Sequence, residues 1–303
     1  MTDYQIIDAH VHTYQTREIG LQAKQSSTIT DYAGTPDEIL SIVEKANISQ
    51  AVMVNLLPLA EMREAAIKKL PGGISAADKE AALKEIDARM MGRLERRNTW
   101  TCELSVEHPN LIPFINVDPL QDEKTMTDEI INRVNNNNVK GIKFHPNSQQ
   151  CFPNDHRLWP AYQTSEKIGL PIIFHAGIFA TKIQYAQPKH FEEVLANFPD
   201  LVLVMAHLGQ GFLDETRYLA KTYPNLCFDC SAIVSATDSA RGITDKELAD
   251  LIKEIGIERV MFGSDFPFYD PADAVERLLK LDFNEVEKQM LLAGNAIRIY
   301  KLS

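Results

Sequence analysis

Short apolar runs alternate with segments of helical periodicity along most of the chain. Eight such runs can be placed, at residues 4–12, 50–56, 111–117, 139–145, 170–175, 201–207, 226–230 and 259–264. Most are continuously apolar, which is typical of parallel strands buried on both faces. Eight strand and helix units in 303 residues predict an α/β fold, a (β/α)8 TIM barrel. An open doubly wound sheet is the alternative, but no glycine-rich phosphate-binding fingerprint follows the first run.

The segment from about residue 59 to 107 departs from this rhythm and predicts a helical insertion between strands 2 and 3. Its charged, alanine-rich patterns are broken by Pro71-Gly72-Gly73, and it is far longer than a crossover helix requires. Four arginines are spaced to form one basic helix face: Arg89, Arg93, Arg96 and Arg97. We interpret this face as solvated surface, with a lid for a substrate anion or a subunit contact as the alternatives.

Residues 13–34 follow the first strand directly and are polar and irregular in pattern. A segment of this length and position is typical of an active-site loop. The next residues, Thr35 and Pro36, predict the start of a helix, with Thr35 as its cap and Pro36 in its first turn.

The length and composition are those of a globular enzyme, and we expect a single domain over residues 1–303. Hydrophobic residues make up 45% of the chain, and the formal net charge is −11. This acidic balance argues against nucleic acid and anionic membranes as partners, so the expected ligand is a small-molecule substrate. No apolar run has membrane-spanning length and no signal peptide precedes the first strand, which predicts a cytoplasmic protein. The extra helical surface of the insertion is consistent with a homodimer.

Two of the four cysteines, Cys227 and Cys230, form an isolated C-x-x-C pair. No second pair completes a zinc site, so a redox or structural-metal role is not expected. We predict that the two side chains lie on opposite faces of a short buried strand, where cysteine acts as a small hydrophobic residue.

Histidines collect at the C-terminal ends of the predicted strands. His10 and His12 are two residues apart on the first strand, so their side chains point the same way. Three more histidines and one aspartate end later strands: His145, His175, His207 and Asp265. Five of the eight histidines therefore lie where a barrel of this kind builds its active site. Imidazole and carboxylate groups gathered in this way predict a transition-metal site.

These strand ends belong to short motifs spread over the whole chain. The motifs are DAHVH at residues 8–12, GIKFHP at 141–146, FHAG at 174–177, AHLG at 206–209, GSDFP at 263–267 and GNAIRIY at 294–300. Together they resemble the amidohydrolase superfamily, specifically its amidohydrolase-related branch, which contains hydrolases and metal-dependent decarboxylases. The resemblance implies a TIM-barrel enzyme that uses a divalent metal ion.

The resemblance also implies roles for individual residues. One divalent ion, with zinc expected, would be bound by His10, His12, His175 and Asp265. Three imidazoles and a carboxylate suit zinc and leave room for a further ligand if the coordination shell expands. His207 would act as a proton shuttle, polarise the substrate carbonyl or bind a second metal ion.

Lys143 bears on the number of metal ions. It lies two residues before His145 on the fourth strand, so both side chains should face the barrel interior, where an unpaired lysine is costly. In binuclear members of the superfamily a carboxylated lysine on this strand bridges two ions. The resemblance to this branch favours one ion, which leaves Lys143 to pair with a carboxylate or to bind substrate, with His145 and His207 as further substrate-binding residues. The sequence nevertheless supplies every ligand of the binuclear design, so a second ion remains the alternative.

Asp8 lies two residues before His10 on the same strand face. One interpretation is a carboxylate that orients a ligand imidazole. The other is a buried acid paired inside the barrel, with Lys143 as a candidate partner.

The leading hypothesis for the reaction is hydrolysis of a small, carboxylated or cyclic substrate such as a lactone, an amide or an ester. Metal-activated water would attack the carbonyl, with Asp265 as general base and His207 stabilising the oxyanion. The alternative is non-oxidative decarboxylation, a carbon–carbon lyase reaction in which His207 or Asp265 would protonate or hydrate the carbon that loses carbon dioxide. A third interpretation is a catalytically silent barrel that keeps its metal and acts as a binding protein.

Overall fold

The computed structural model describes residues 4–24, 29–236 and 242–303. These residues contain an eight-stranded parallel sheet in which each strand pairs with the next along the chain. The strands are β1 (Ile7–Val11), β2 (Gln50–Met53), β3 (Leu111–Asn116), β4 (Gly141–Phe144), β5 (Ile172–Phe174), β6 (Leu203–Met205), β7 (Cys227–Asp229) and β8 (Val260–Met261). Each of them lies inside one of the predicted apolar runs, and the predicted (β/α)8 barrel is confirmed.

The sheet closes between β1 and the segment that follows β8. The backbone N–H of Asp265 donates to the His10 carbonyl at 2.9 Å, and the N–H of His12 donates to the Phe266 carbonyl at 2.7 Å. These bonds bring the first and last strands together in a nearly closed barrel. They also place Asp265 beside the two histidines of β1.

Helices lie between the strands along the chain. The α-helices are α1 (Arg17–Lys24), α2 (Pro36–Lys45), α3 (Leu59–Ile67), α4 (Ala76–Glu107), α5 (Glu123–Asn137), α6 (Pro146–Gln149), α7 (Trp159–Ile168), α8 (Glu192–Asn197), α9 (Leu213–Thr222), α10 (Asp245–Ile255), α11 (Pro271–Lys280), α12 (Glu285–Gln289) and α13 (Asn295–Tyr300). Short 3-10 segments occur at His156–Leu158, Pro188–Phe191, Ala206–Gly209 and Ile257–Arg259, and a π-helical segment at Met290–Gly294. Across the three described ranges, no helix combines the length and the hydropathy needed to span a membrane.

The predicted start of α2 is confirmed. Thr35 caps the helix in a capping box, because its side chain accepts from the Glu38 N–H while the Glu38 carboxylate accepts from the Thr35 N–H. The same carboxylate accepts from the backbone N–H groups of Ala33 and Gly34, each at 2.8 Å. The end of the preceding segment is therefore fixed to the first turn of the helix.

The segment between β1 and α2 is only partly irregular. The prediction of an irregular stretch over residues 13–34 is wrong where α1 forms, and residues 25–28 lie outside the described parts of the chain. At the end of α1 the Nζ of Lys24 donates to the Tyr32 carbonyl at 2.8 Å, which folds the helix back onto the rest of the segment. A short polar helix held by such contacts carries little periodic signal in its sequence.

Helices α3 and α4 form the insertion between β2 and β3, and the break predicted at residues 71–73 separates them. The two helices are joined by an ion pair between Arg63 Nε and Asp87 Oδ1 at 2.5 Å. Leu59 and Leu94 belong to a small hydrophobic cluster of their own between the helices. The insertion is thus a helical pair with a separate core.

The four arginines of α4 do not share one environment. The solvated-surface interpretation agrees with the exposed positions of Arg89, Arg93 and Arg96. It is wrong for Arg97, which is 9% exposed, lies 4.8 Å from the centre of the Trp100 ring and donates to the Thr13 carbonyl. One residue beyond Arg96 the helix has turned by about 100°, which directs this side chain toward the barrel.

The alternation of side chains on β4 separates the hydrophobic core from the barrel interior. Ile142 and Phe144 are buried in the main core, where the Phe144 ring stacks on Phe174 at 4.8 Å and lies 6.0 Å from Tyr162. Lys143, between them in sequence, points to the opposite face of the strand. This places the lysine inside the barrel, as the sequence predicts.

Candidate metal centre

Three of the four predicted metal ligands come together at the C-terminal mouth of the barrel. The ligand atoms of His10, His12 and Asp265 all lie within 4.8 Å of one another. Asp265 Oδ1 is 3.2 Å from His12 Nε2 and 3.6 Å from His10 Nε2. A left-handed backbone conformation at Asp265, with φ 66°, turns the chain after β8 so that the carboxylate faces the histidines. The arrangement has the chemistry of a divalent-cation site.

The fourth predicted ligand, His175, lies beside this group and not within it among the described residues. Its ring stacks on His145 at a centroid distance of 4.3 Å, and its Nδ1 is 3.1 Å from His207 Nε2. Its Nε2 is buried and has no hydrogen-bond partner in the described structure. A buried imidazole nitrogen without a partner is costly, and a metal ion would satisfy it.

His207 lies behind His175 and is held on both ring nitrogens. Its Nδ1 is 3.0 Å from the Ser231 carbonyl and 2.9 Å from the Ser231 hydroxyl, so this nitrogen carries the proton. Its Nε2 then accepts from His175 Nδ1. Together with His10 and Asp229, His207 also forms a second compact group whose ligand atoms lie within 4.8 Å.

Asp229 is a site residue that the sequence motifs did not identify. It is fully buried at the end of β7, and its Oδ2 accepts from His10 Nδ1 at 2.8 Å. Its Oδ1 accepts from the backbone N–H groups of His207 at 3.1 Å and Ser231 at 3.0 Å. Burial acts to raise the pKa of Asp229, but the adjacent His10 and His207 imidazoles outweigh it and hold the pKa below its usual range.

A signal for Asp229 was present in the sequence, because an aspartate ending a predicted strand occupies the same kind of position as Asp265. The C-x-x-C pair that surrounds Asp229 was interpreted only as buried strand residues. Cys227 and Cys230 are buried in two different hydrophobic clusters, in agreement with the prediction of opposite strand faces.

Asp8 is a buried acid, as the second interpretation holds, but its partners are backbone groups and not Lys143. Its Oδ1 accepts from the backbone N–H of His10 at 3.1 Å and of Ser264 at 2.9 Å, which ties β1 to the segment after β8. The imidazole of His10 is oriented by Asp229 instead, and no ion pair joins Asp8 to Lys143 within the described residues. Burial raises the pKa of Asp8 to about 7.

Lys143 and His145 both reach the site, as predicted. Lys143 is 1% exposed, and its Nζ lies 3.4 Å from His10 Nε2. Burial lowers the pKa of Lys143 to about 8, although the carboxylates of Asp229 and Asp265 act in the opposite direction. His145 Nδ1 accepts from the backbone N–H of Ser148 at 3.2 Å and so caps α6.

Four imidazoles of the site have a lowered pKa, which favours their neutral form. Burial lowers the pKa of His10 to about 3, and lowers the pKa of His12, His145 and His175 well below the usual range. The ammonium of Lys143 adds to this effect at each ring, and burial raises the pKa of Asp265. Metal binding requires deprotonated imidazole, and the unpartnered Nε2 of His175 supplies a further donor. The residues present therefore fit a divalent ion.

Two phenylalanines flank the histidines. Phe179 meets His145 and His175 edge-on at centroid distances of 5.5 and 5.6 Å, and Phe268 meets His12 edge-on at 5.9 Å. These rings give the polar site an apolar border, which suits a ligand with a flat hydrocarbon part.

Two characterised relatives with similar sequences are decarboxylases. The chain is 25% identical to gamma-resorcylate decarboxylase of Polaromonas sp. over 120 residues, which are 35% of this chain and 36% of that protein. It is 22% identical to 2-amino-3-carboxymuconate-6-semialdehyde decarboxylase of Dictyostelium discoideum over 240 residues, 68% of this chain and 65% of that protein. The chain thus covers less than two thirds of the length of either relative.

A similar fold occurs in a solved structure of dihydroxybenzoic acid decarboxylase from Polaromonas sp.. That protein has bound manganese and the inhibitor 2-nitroresorcinol. The TM-score is 0.70 at 15% identity, and the match covers 99% of this chain and 97% of the other. At this level of identity the likeness shows the shared fold alone.

The resemblance drawn from the strand-end motifs is confirmed by a family model. The model, described as Amidohydrolase, matches residues 90–302, well over half of the sequence. The chain therefore belongs to the amidohydrolase family of TIM-barrel enzymes.

Proposed function

We propose that this protein is a metal-dependent decarboxylase of a small aromatic or dienoic carboxylic acid. The observation that carries the proposal is the group of His10, His12 and Asp265 at the barrel mouth, with the unpartnered Nε2 of His175 beside it. Decarboxylation replaces hydrolysis of a lactone, amide or ester as the preferred reaction. The reason is that two relatives with related sequences are decarboxylases of acids with these carbon skeletons.

We propose one divalent ion per chain, held by His10, His12, His175 and Asp265. This donor set favours zinc, whereas manganese is the ion bound in the structurally similar dihydroxybenzoic acid decarboxylase. When bound, the ion would supply positive charge that stabilises the electrons left on the substrate as carbon dioxide departs.

Asp265 is the proposed proton donor. Its side chain is 13% exposed, whereas the His10 side chain is fully buried, so the carboxyl group is open to the mouth. In the proposed reaction the bond between the carboxylate and the ring or diene carbon breaks, and its electron pair stays on that carbon. A proton from Asp265 then adds there, carbon dioxide leaves, and solvent returns the proton to Asp265.

His207 is proposed to position His175 and not to deliver the proton itself. Its Nδ1 faces Ser231 and its Nε2 accepts from His175, so neither ring nitrogen is free to face a substrate. The chain of bonds fixes the tautomer of His175 with Nε2 unprotonated.

The apolar border fits the proposed substrate class. The rings of Phe179 and Phe268 stand perpendicular to those of His175 and His12, and a planar acid can pack against such aromatic rings while its carboxylate meets the polar group. A saturated, flexible acid would gain less from this border.

The test is a carbon dioxide assay on purified protein loaded separately with zinc and with manganese. Hydroxybenzoic and dienoic acids would be screened beside a panel of lactones, esters and amides. We expect carbon dioxide release from at least one acid, and a loss of about 10²-fold or more in Asp265→Asn. Asp273→Asn, which changes an exposed carboxylate on α11, is the matched control and should retain full activity.

Other outcomes would reject the proposal. Turnover of a lactone, ester or amide without carbon dioxide release would restore the hydrolase hypothesis. Metal binding without turnover in either panel would favour the catalytically silent barrel.

A further inference from the structure

Arg97 is a buried cation supplied by the insertion to the edge of the barrel mouth. It is 9% exposed, and its Nη2 donates to the carbonyl of Thr13, the residue that follows the predicted ligand His12. The guanidinium lies 5.4 Å from the ring centre of Tyr14 and 4.8 Å from that of Trp100. Two aromatic rings and one backbone carbonyl thus fix it next to β1.

Arg97 is not paired with an acid in the part of the chain that the structure describes. Within the described residues, no carboxylate lies within ion-pair distance of Arg97, and its Nε is buried without a hydrogen-bond partner. The adjacent Tyr14 hydroxyl, on a residue that is 2% exposed, is also buried without a partner. A desolvated cation and a buried hydroxyl without an acceptor both destabilise the folded protein unless an anion accepts hydrogen bonds from them.

We propose that Arg97 and Tyr14 form a subsite for a second acidic group of the substrate, a carboxylate distinct from the one that is lost. The identity of the ligand as substrate rests on the proposed decarboxylase function. The planar guanidinium matches the geometry of a carboxylate, and the tyrosine hydroxyl adds a further donor. The preferred substrates are therefore planar dicarboxylic acids.

The position of the pair supports this assignment. Thr13 and Tyr14 follow His12 without a gap, so the subsite and the metal group are built on the same strand end. The other arginines on this helix, Arg89, Arg93 and Arg96, are exposed and offer only solvated charges. Arg97 alone among these four is held in a fixed place by aromatic contacts.

Calorimetric titration of the zinc-loaded protein tests the subsite without requiring turnover. The probes are the three benzenedicarboxylate isomers, each compared with benzoate. We expect at least one dicarboxylate to bind wild type more tightly than benzoate. Arg97→Gln should raise the Kd of that dicarboxylate about tenfold or more and change the Kd of benzoate less than about twofold. Arg96→Gln, which alters the exposed neighbour, should change neither value.

Tyr14→Phe removes a single oxygen and keeps the ring against Arg97. It should weaken dicarboxylate binding a few-fold without affecting benzoate. If Arg97→Gln fails to fold, this variant and Arg97→Lys decide the question, with the lysine variant expected to bind dicarboxylate more weakly than wild type.

Three results would overturn the proposal. They are a wild type that does not prefer dicarboxylate to benzoate, an Arg97→Gln variant that loses affinity equally for both kinds of probe, and unchanged affinity in every variant. Equal loss would assign Arg97 a purely structural role in holding Thr13. The outcome is separable from that of the carbon dioxide assay. If Arg97→Gln selectively weakens dicarboxylate binding in a protein that releases no carbon dioxide, the subsite proposal stands and only the decarboxylase function is rejected.

Discussion

The Nδ1 of His10 lies 2.8 Å from the Oδ2 of Asp229, and both side chains are fully buried. A buried carboxylate at this distance accepts the Nδ1 proton, so the lone pair of His10 is on Nε2, the nitrogen that faces Asp265. Asp229 is held in turn by the backbone N–H groups of His207 and Ser231. Strand β7 supplies none of the predicted ligands, but its Asp229 sets the orientation of the His10 imidazole.

Substituting Asp229→Asn should weaken metal binding. The amide cannot supply the negative charge that fixes the His10 tautomer, and loss of such a partner lowers metal affinity by about 10- to 100-fold. Chelator competition with zinc measures the change, and Asp273→Asn on the surface serves as the control. Unchanged zinc affinity in Asp229→Asn would show that His10 does not need this carboxylate to bind metal.

Substituting Gly263→Ala should press an added methyl group against His10 and Ser231 at the candidate metal centre. A Cβ at this position would lie 2.9 Å from the Cβ of His10, too close for two carbon atoms, and 3.0 Å from that of Ser231, a tight contact. We expect a loss of about 1–3 kcal/mol in the free energy of unfolding, together with weaker zinc binding.

The matched control for this substitution is Gly72→Ala, whose added Cβ would meet nothing within 4 Å. Its free energy of unfolding in urea should differ from wild type by no more than about 1 kcal/mol. Equal effects of the two substitutions would contradict the crowding argument.

Removal of metal should lower thermal stability. An ion that binds only the folded chain stabilises it by about 2.7 kcal/mol when its free concentration is 100 times its Kd. We therefore expect a lower Tm after treatment with chelator and recovery on addition of zinc. In Asp265→Asn the zinc-dependent shift should largely disappear, whereas His156→Ala, at an exposed histidine, should keep it. A wild-type Tm that is unchanged by chelator and by zinc would contradict the presence of a metal site.

The number of ions per chain can be measured by elemental analysis of wild type and Lys143→Met. We expect about one ion in both proteins, because the proposed ligand set does not include Lys143, whose Nζ lies 3.4 Å from His10 Nε2. The methionine keeps most of the buried volume and removes the amine. Two ions in wild type, falling to one or none in the variant, would instead support a carboxylated lysine that bridges a binuclear centre.

Much of the fold and part of the candidate site could be predicted from the amino-acid sequence. The apolar runs place each of the eight strands that the structure describes, since burial on both faces of a parallel strand leaves a continuous hydrophobic signal. Placing His10, His12 and Asp265 at strand ends also predicts that they meet, because the C-terminal ends of barrel strands share one mouth. Local periodicity and the geometry of a closed parallel barrel are sufficient for both conclusions.

Only the tertiary structure decided which atoms contact each other. Asp229 reaches His10 across 219 positions of sequence, and Arg97 is buried while Arg96 is exposed, although both belong to the same charged face in the sequence pattern. His207 meets His175 and Ser231 because the chain turns through a left-handed conformation at φ 58°. Such contacts depend on how separate elements pack and on single backbone turns, which leave no periodic signal along the chain.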